Sequence, residues 1–410
     1  MRKQNNYSLR RIQRVLVILL PILLLTLASL LIAKSYLKRT RRPAISDSSV
    51  TTDSPATPDT ASRTDTDPTD GALDTDAAAQ KDEASTAQEP EPEAIIETEP
   101  VTLLFTGDVL LSDYVRNNYN SSGIDGILSP DMLRELRNAD ITVINNEFPF
   151  STRGTQAPDK QFTFRVDPKY VSLLTDMGVD IAGLANNHVL DYGADALQDT
   201  FETLDAAGID YMGAGDDLAR ASALITKETG GKTFGFLAAS RVIPVVSWDV
   251  QNSSPGVFTT YDPSRLVAAI EAAKDNCDYL TVFVHWGIER DEYPQDYQVS
   301  MAQQYIDAGA DLVIGSHPHV LQGITYYNGK PIFYSLGNFI FNQSIPKTAA
   351  VKVTIDGENE PVFQLIAVAA SNARTIACDA PEKTDIYDHL ESISTGIVID
   401  DEGFLSPAAQ

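Results

Sequence analysis

Short apolar runs recur along the chain after residue 100, and each is followed by polar residues. Runs of this length without polar alternation are typical of strands that other elements cover on both faces. Stretches with apolar residues at helical spacing lie between several of them, which predicts a layered α/β domain over residues 101–410. The predicted strands are Val101–Phe105, Ile141–Ile144, Asp180–Leu184, Phe234–Ala238, Leu280–Val284, Leu312–Ile314 and Ile332–Tyr334.

A glycine followed by an apolar strand marks the end of three predicted helices. Glycine adopts the left-handed backbone that ends a helix. The junctions are Met177-Gly178-Val179-Asp180, Ala207-Gly208-Ile209-Asp210 and Ala308-Gly309-Ala310-Asp311. The helix before the second junction has its apolar face at Ala196, Leu197, Thr200, Phe201 and Leu204. Two later segments, Val351–Ile355 and Phe363–Ala367, alternate apolar and polar residues, which favours a second, mixed sheet.

The first 42 residues have a different pattern. Five basic residues in 1–14 precede an apolar run at 15–33, which as a helix would span about 28 Å, close to the ~30 Å membrane core. A cleaved signal peptide is the alternative, but its apolar region is usually only ~7–15 residues long. We therefore predict an uncleaved anchor at 15–33. Equal numbers of basic residues flank the anchor, so charge does not decide its orientation. We predict that residues 1–14 lie in the cytoplasm, because a single N-terminal anchor usually delivers the long segment behind it across the membrane.

Residues 34–100 are predicted to be a disordered linker. From residue 43 onward Asp, Glu, Ser, Thr, Ala and Pro dominate, with 15 acidic and 2 basic residues by residue 100. This composition cannot bury enough apolar surface to offset the entropy of ordering the chain. Like charges extend such a segment, so we expect it to hold the following domain away from the membrane.

The whole chain has a formal net charge of −26. Nucleic-acid recognition needs a basic face, so we predict no nucleic-acid partner. A polyanionic substrate would have to meet a local basic patch or a bound metal ion. The only cysteines, Cys277 and Cys378, lack metal-cluster spacing, and both a disulfide and two unrelated buried thiols are consistent with the sequence.

Polar motifs follow six of the predicted strands. Ligands of open α/β sheets gather at the carboxyl ends of strands. Four of the five histidines lie in these motifs, and imidazole is both the commonest metal ligand and an acid or base near neutral pH. One such histidine alone would be interpreted as structural, but four favour a shared site. The motifs are Thr106-Gly107-Asp108, Asn145-Asn146-Glu147, Asn186-Asn187-His188, His285-Trp286-Gly287-Ile288-Glu289, Gly315-Ser316-His317-Pro318-His319 and Ser335-Leu336-Gly337-Asn338.

Together with Asp191-Tyr192-Gly193, Gly213-Ala214-Gly215 and Phe339, these motifs resemble the CapA (PgsA-type) capsule and poly-γ-glutamate synthesis proteins. The resemblance covers roughly residues 100–400, and the predicted anchor matches the membrane-bound members. That family is similar in fold to the calcineurin-like metallophosphoesterases. The resemblance therefore implies an αββα sandwich with metals at the strand ends.

The resemblance also implies roles for individual residues. His188 matches the histidine that protonates the leaving group, and Asp191 is near enough in sequence to orient it. Phosphoesterases have a histidine two residues after the first aspartate, but this chain has Leu110, which leaves one of two metal positions a ligand short. The implied cofactor is one or two divalent ions of Mn, Fe or Zn. The implied metal ligands are Asp108, Glu147, Asn187, His285, His317 and His319.

Five further residues are candidates for binding substrate. Arg153 and Arg165 flank the glutamate motif, and a guanidinium group pairs bidentately with carboxylate or phosphate. Surface salt bridges are the alternative for both arginines. Asn338 lies either on the rim of the site or in a turn that it caps. Asn145 and Glu289 complete the set.

The function implied by the resemblance is capsule or poly-γ-glutamate biosynthesis and export by a membrane-anchored, extracellular protein. Its site would perform a metal-dependent hydrolytic or transfer step on the polymer or its carrier, alongside other capsule synthesis proteins. Two alternatives stay open: a surface-tethered metallophosphoesterase acting on wall phosphodiesters or nucleotides, and a non-enzymatic export scaffold. Leu110 favours the scaffold, whereas His188 favours an enzyme because a pure binding module needs no acid or base.

Overall fold

Two mixed β-sheets carry the strands that the apolar runs predict. The structure is a computed structural model that describes residues 99–357 and 359–408. The segments predicted at 1–14 and 15–33, and the linker up to residue 98, lie outside these residues and stay predictions. Among the helices that the structure describes, none is long and apolar enough to cross a membrane.

The strands are β1 (Val101–Val109), β2 (Ile141–Asn146), β3 (Ile181–Gly183), β4 (Asp210–Met212), β5 (Ala214–Gly215), β6 (Ile225–Thr229), β7 (Lys232–Ser240), β8 (Gly256–Val257), β9 (Tyr279–His285), β10 (Leu312–Ser316), β11 (Leu321–Tyr327), β12 (Lys330–Leu336), β13 (Asn338–Ile340), β14 (Ser344–Ile355), β15 (Val362–Ser371), β16 (Arg374–Ala377), β17 (Ile397–Ile399) and β18 (Leu405–Pro407). The α-helices are α1 (Asp113–Ser122), α2 (Pro130–Asn138), α3 (Val171–Met177), α4 (Ala194–Ala207), α5 (Leu218–Ala221), α6 (Ser264–Lys274), α7 (Asp296–Ala308) and α8 (Glu382–Ile393). Short 3-10 helices span Gly123–Gly126, Pro168–Tyr170 and Val246–Trp248.

Each large sheet has a parallel centre and antiparallel edges. The first has the order β16-β15-β14-β1-β2-β3-β4, in which β1 to β4 run parallel, and β13 also pairs with β1. The second has the order β11-β12-β10-β9-β7-β6, in which β12, β10, β9 and β7 run parallel. The carboxyl ends of the parallel strands within each sheet therefore lie at one edge of that sheet.

The C-terminal strands do not form the separate sheet that their alternating pattern favoured. β14 pairs antiparallel with β1, from Val101 opposite Ile355 to Phe105 opposite Val351, and β15 pairs with β14. The second sheet instead consists of β6, β7 and β9 to β12. The prediction was wrong because alternation reports how a strand's faces are covered and does not identify its neighbour.

Alternate residues of β7 belong to two different apolar clusters. Phe236 and Ala238 pack between the sheets, where the ring centres of Phe236 and Phe105 on β1 are 6.5 Å apart. Leu237 and Ala239 point the other way and pack in a cluster with residues of α6 and α7. Covering on both faces explains why the predicted strands are continuous apolar runs. The predicted mixed α/β fold is confirmed.

The predicted helix ends are confirmed. Gly178, Gly208 and Gly309 follow α3, α4 and α7 with φ angles of 82°, 72° and 123°. All five apolar-face residues predicted for α4 are buried. Cys277 and Cys378 are free thiols, so they do not form a disulfide.

A close crossing of two backbones holds the end of β1 in place. A Cβ atom on Gly107 would lie 1.9 Å from the carbonyl oxygen of Gly337. The amide of Asp108 donates to that same oxygen at 2.8 Å, and Asp108 pairs in register with Asn338. The Thr-Gly-Asp and Leu-Gly-Asn motifs therefore contact each other, and this contact fixes the backbone position of Asp108.

We predict that Gly107→Ala lowers the free energy of unfolding by more than about 3 kcal/mol, because rigid backbone atoms cannot move aside for the added methyl group. Gly183→Ala is the matched control on β3, where the nearest atom to an added Cβ is 3.3 Å away. It should cost about 1 kcal/mol or less. Urea unfolding followed by circular dichroism measures both; similar losses would contradict the crossing as the cause.

Candidate functional site

Strand ends from both sheets meet at one site. Asp108 on β1 and Asn187 after β3 come from the first sheet, and His285 on β9 and His319 after β10 come from the second. Asp108 Oδ2 lies 3.1 Å from His319 Nδ1, and Asn187 Oδ1 lies 2.9 Å from His285 Nε2. The structure thus brings together residues that are far apart in the sequence and that were predicted to share a site.

An acidic cluster forms the buried floor of this site. Asp108, Glu147 and His285 are all buried, and they offer ligand atoms that lie within 4.8 Å of one another. Asn145 Nδ2 donates to Asp108 Oδ1 at 2.8 Å and to Glu147 Oε1 at 3.1 Å. Burial, and then the charge of Asp108, raise the pKa of Glu147 well above its ordinary value. Two carboxyl groups therefore share one bridging amide.

The three histidines of the cluster differ in charge. Burial lowers the pKa of His285 well below its ordinary value, and burial together with the neighbouring His319 lowers the pKa of His317 to about 3. Burial also acts to lower the pKa of His319, but the carboxylates of Glu147 and Asp108 outweigh it and raise that pKa to about 10. At neutral pH, His285 and His317 are consequently neutral and have lone pairs to offer a metal.

Two buried polar atoms indicate whether the cluster fits a metal ion. Glu147 Oε2 and His317 Nδ1 have no hydrogen-bond partner among the residues that the structure describes. Buried polar atoms nearly always have partners, so each such atom calls for an explanation. A divalent cation accepts electron pairs from both carboxylate and imidazole and would offset the buried negative charge. The donor set therefore fits a divalent metal.

The histidine motif reaches the cluster through a constrained turn. A Cβ atom on Gly315 would lie 2.0 Å from the carbonyl oxygen of Tyr334, so glycine is needed where β10 passes β12. His317 and His319 have φ angles of 97° and 60°. This left-handed region costs a residue with a side chain about 1–2 kcal/mol, and such strain concentrates at functional sites.

Leu110 is buried beside the cluster and offers no ligand atom. Its amide donates to the carbonyl oxygen of Ile340 at 2.6 Å, and its side chain lines the cavity described below. The structure therefore places an aliphatic group in the region to which the phosphoesterase pattern would bring a histidine.

A hydrogen-bonded histidine–aspartate pair is connected to the cluster through Asn186. His188 Nδ1 is 2.8 Å from Asp191 Oδ2, and that carboxylate also accepts from the amide of Phe164 at 2.7 Å. Burial lowers the pKa of His188, although Asp191 opposes the shift, so the imidazole is neutral at neutral pH. The carboxylate orients the ring and leaves Nε2 for other contacts.

Lys160 is a site residue that the sequence analysis missed. Its ammonium contacts Asp191 Oδ1 and the carbonyl oxygen of Asn187, and it lies 3.0 Å from His188 Nδ1. It is also 5.2 Å from the centre of the Trp248 ring, and burial lowers its pKa. Lys160 belongs to the loop after β2. The residues around Lys160 form no motif and no periodic pattern, so no local signal pointed to it.

Asn186 belongs to one of the strand-end motifs, but no role was predicted for it. Its Nδ2 donates to Asn145 Oδ1 at 3.1 Å, and its Oδ1 accepts from the amide of His188 at 3.0 Å. Asn186 thereby links the Asn145 amide, which bridges Asp108 and Glu147, to the backbone of His188. Its position directly before the predicted ligand Asn187 and the predicted catalytic residue His188 was the signal that could have identified it.

The site opens into a cavity of about 910 Å³. His188 and His319 line it, as do the predicted substrate-binding residues Arg165, Glu289 and Asn338. Asn338 Oδ1 lies 2.9 Å from His319 Nδ1, which places Asn338 at the rim of the site. A cavity of this size accommodates a segment of a substrate rather than a single ion.

Two other predicted substrate-binding residues lie elsewhere. Arg153 forms a salt bridge with Asp199, with Nη2 and Oδ1 2.5 Å apart, and it is not among the residues that line the cavity. The structure thus gives Arg153 the salt bridge that was its alternative. Asn145 is buried within the acidic cluster, where it bridges carboxyl groups.

Comparisons with known proteins agree with these motifs. Residues 102–343 match the family model of the bacterial capsule synthesis protein PGA_cap. The chain is 34% identical over 246 residues to the PGA biosynthesis protein CapA of Bacillus subtilis, covering 60% of this chain and 64% of that protein. It is 33% identical over 265 residues to the capsule biosynthesis protein CapA of Bacillus anthracis, covering 62% of each. The chain thus spans less than two thirds of the length of either relative.

Among solved structures, a phosphatase from Mycoplasma pneumoniae aligns with 72% of this chain and 99% of its own. The sequence identity is 11% and the TM-score is 0.39. At this TM-score the likeness assigns neither fold nor activity to the chain.

We predict that Glu147→Gln weakens the binding of Mn²⁺ or Zn²⁺ at least about 10-fold, because it removes a charged ligand. The metal-free variant should be as stable as the wild type or more so, since a neutral amide replaces a buried acid. Isothermal titration and thermal unfolding measure the two effects. Glu292→Gln is the control, because Glu292 is exposed and pairs with His389 at 3.2 Å. Unchanged metal affinity in Glu147→Gln would exclude Glu147 as a ligand.

We predict that Lys160→Met lowers the free energy of unfolding by about 3–5 kcal/mol, because it leaves Asp191 buried without its cation. Adding Asp191→Asn to this variant should recover part of the loss, since the uncompensated charge is then removed. Chemical denaturation of the two single variants and the double variant completes the cycle. Strictly additive losses would show that the two side chains are not coupled.

Proposed function

The chain belongs to the bacterial capsule synthesis protein family PGA_cap, and from this premise we propose that it acts in capsule or poly-γ-glutamate biosynthesis. The proposed activity is a metal-dependent hydrolytic or transfer step on the polymer or its carrier. One observation carries the proposal: His188, which is hydrogen-bonded to Asp191, and His319, which contacts Asp108 of the acidic cluster, line the same cavity. An acid–base group beside a set of metal ligands suits bond cleavage better than binding alone.

The metal would be held by carboxylate, amide and imidazole groups. A divalent ion bound there supplies Lewis-acid polarisation and makes water acidic enough to react near neutral pH. Leu110, which replaces a histidine of the phosphoesterase pattern, favours one ion over two. The proposed ligands are Asp108, Glu147, Asn187, His285 and His317, and also His319, which would have to lose a ring proton to bind the ion.

The chain's own residues would handle the proton. Asp191 holds Nδ1 of His188, so Nε2 is the nitrogen available to a substrate in the cavity. A neutral imidazole can take a proton from the attacking group, and the protonated ring can return one to the leaving group. Lys160 offsets the charge of Asp191 and contacts the backbone of Asn187, which holds the pair next to the metal ligands.

The fold and location form part of the same proposal. Two stacked sheets with ligands at the strand ends support a calcineurin-like metallophosphoesterase architecture. The predicted anchor at 15–33 and the acidic linker support a site outside the cell membrane, where other capsule synthesis or export proteins would act with it. Leu110 is the specific observation that favours a second candidate, an export scaffold without catalysis.

We predict that His188→Ala lowers turnover by about 10²–10⁴-fold while metal affinity stays within about twofold, because the residue transfers protons and is not a ligand. The assay incubates the full chain and Mn²⁺ with poly-γ-glutamate and follows polymer length by size-exclusion chromatography. His389→Ala is the control, since His389 does not line the cavity. Unchanged turnover in His188→Ala would remove its acid–base role.

A parallel assay with bis-p-nitrophenyl phosphate separates the alternatives. Turnover of this phosphodiester, with the polymer left intact, would favour a surface phosphoesterase. Binding of the polymer by a metal-loaded protein that turns over neither substrate would favour the export scaffold.

A further inference from the structure

The cavity is locally basic within an acidic chain. The formal net charge of the chain is −26, yet four arginine and lysine residues line the cavity, compared with only two residues that carry a carboxylate. Such an inversion of charge marks a surface that receives anions. The cations are Arg116, Arg165, Arg290 and Lys347, and the carboxylates are Asp113 and Glu289.

Two of these cations already have acidic partners within the protein. The guanidinium of Arg116 contacts Asp113, which also lines the cavity. Lys347 Nζ lies 2.8 Å from Asp385 Oδ2. Their charges are compensated, so they add little attraction for a ligand.

The guanidinium group of Arg165 is held in place by contacts that do not neutralise its charge. Its Nη1 donates to the carbonyl oxygen of Arg153 at 2.7 Å, and its guanidinium carbon lies 4.1 Å from the centre of the Tyr192 ring. Stacking on an aromatic ring holds the planar group while leaving N–H donors for another partner. Within the described part of the chain, no carboxylate pairs with Arg165.

Arg290 has a fixed backbone and an exposed, unpaired side chain. Its φ angle is 64°, and its amide donates at 2.8 Å to the carbonyl oxygen of Pro318, which lies between His317 and His319. Gln322 Nε2 fixes the next residue by donating to the carbonyl oxygen of Asp291 at 2.8 Å. Across residues 99–357 and 359–408, the Arg290 guanidinium has no ion pair or hydrogen bond, although the loop that carries it is tied to the histidine motif.

Apolar side chains line the cavity together with the two arginines. Phe162, which is 62% exposed, lines the wall with Phe164, Phe341 and Ile345. This mixture suits a chain whose charges are separated by methylene and amide groups. A phosphate polymer has a denser charge and would be better matched by more cations.

We propose that Arg165 and Arg290 are specificity-determining residues that bind carboxylate groups of a polycarboxylate substrate at the cavity wall. The inference rests on the proposed function and deepens it. Each guanidinium would pair with one carboxylate through two N–H donors, and the aromatic wall would contact the intervening apolar segments. The repeating carboxylates of poly-γ-glutamate match this arrangement.

The test measures binding of fluorescent poly-γ-glutamate oligomers to the purified full chain by anisotropy. EDTA is present, so that no metal ion links the polymer to the acidic cluster and no metal-dependent turnover occurs. Arg165→Gln and Arg290→Gln should each weaken binding about 5–20-fold, and Arg290→Lys should recover part of the affinity because it restores the charge without the fork. Polyphosphate of matched length should bind more weakly than poly-γ-glutamate.

Arg134→Gln is the matched control, because Arg134 is exposed on α2, pairs with Asp131 and does not line the cavity. Equal losses in this control, variants that bind as the wild type does, or polyphosphate bound as tightly as the polycarboxylate would each overturn the inference. These outcomes leave the proposed function standing if the wild type still turns over poly-γ-glutamate. A wild type that neither binds nor turns over the polymer would overturn both.

Discussion

The site depends on the burial of two carboxyl groups, those of Asp108 and Glu147, within reach of one ion. Burial and mutual repulsion oppose ionisation of the pair, and the single amide of Asn145 cannot satisfy four carboxyl oxygens. The charged His319 ring beside Asp108 offsets part of the cost, while Glu147 Oε2 has no partner among the described residues. A divalent cation would complete this compensation. The surrounding strands must therefore be rigid enough to hold the carboxyl groups together without it.

That rigidity comes from the strand ends. β1 crosses the turn before β13 at a distance that admits only glycine at Gly107, and the contact fixes the position of Asp108. On the opposite sheet, the equally tight approach at Gly315 sets the start of the turn that carries the histidines. Sites built on such elements are more precise than sites on free loops. Backbone strain at His317 is tolerated because these contacts over-determine the turn.

The strands, the helix ends and the gathering of polar motifs at strand ends could be predicted from sequence because their signals are local, whereas the metal-ligand roles were implied only by the family resemblance. Glycine after a helix and polar residues after an apolar run have the same meaning wherever they occur, so Gly208 and His285 were placed correctly. The pairing of β14 with β1 is a contact between distant segments, and alternation along β14 contained no information about its neighbour. Lys160 was missed for a related reason: only the folded loop brings its ammonium to Asp191.

If the proposed function holds, the distribution of charge would allow an acidic domain to receive an anionic polymer. Repulsion from the net charge acts at long range but is screened beyond about 8 Å at physiological ionic strength. Direct contacts inside the cavity would decide the outcome, because Arg165 and Arg290 line the cavity while Asp108 and Glu147 are buried. A polyanion would therefore be disfavoured over most of the surface and attracted at one place. This arrangement would confine the proposed binding to the cavity that His188 lines, so selectivity would arise from repulsion elsewhere as much as from attraction at the site.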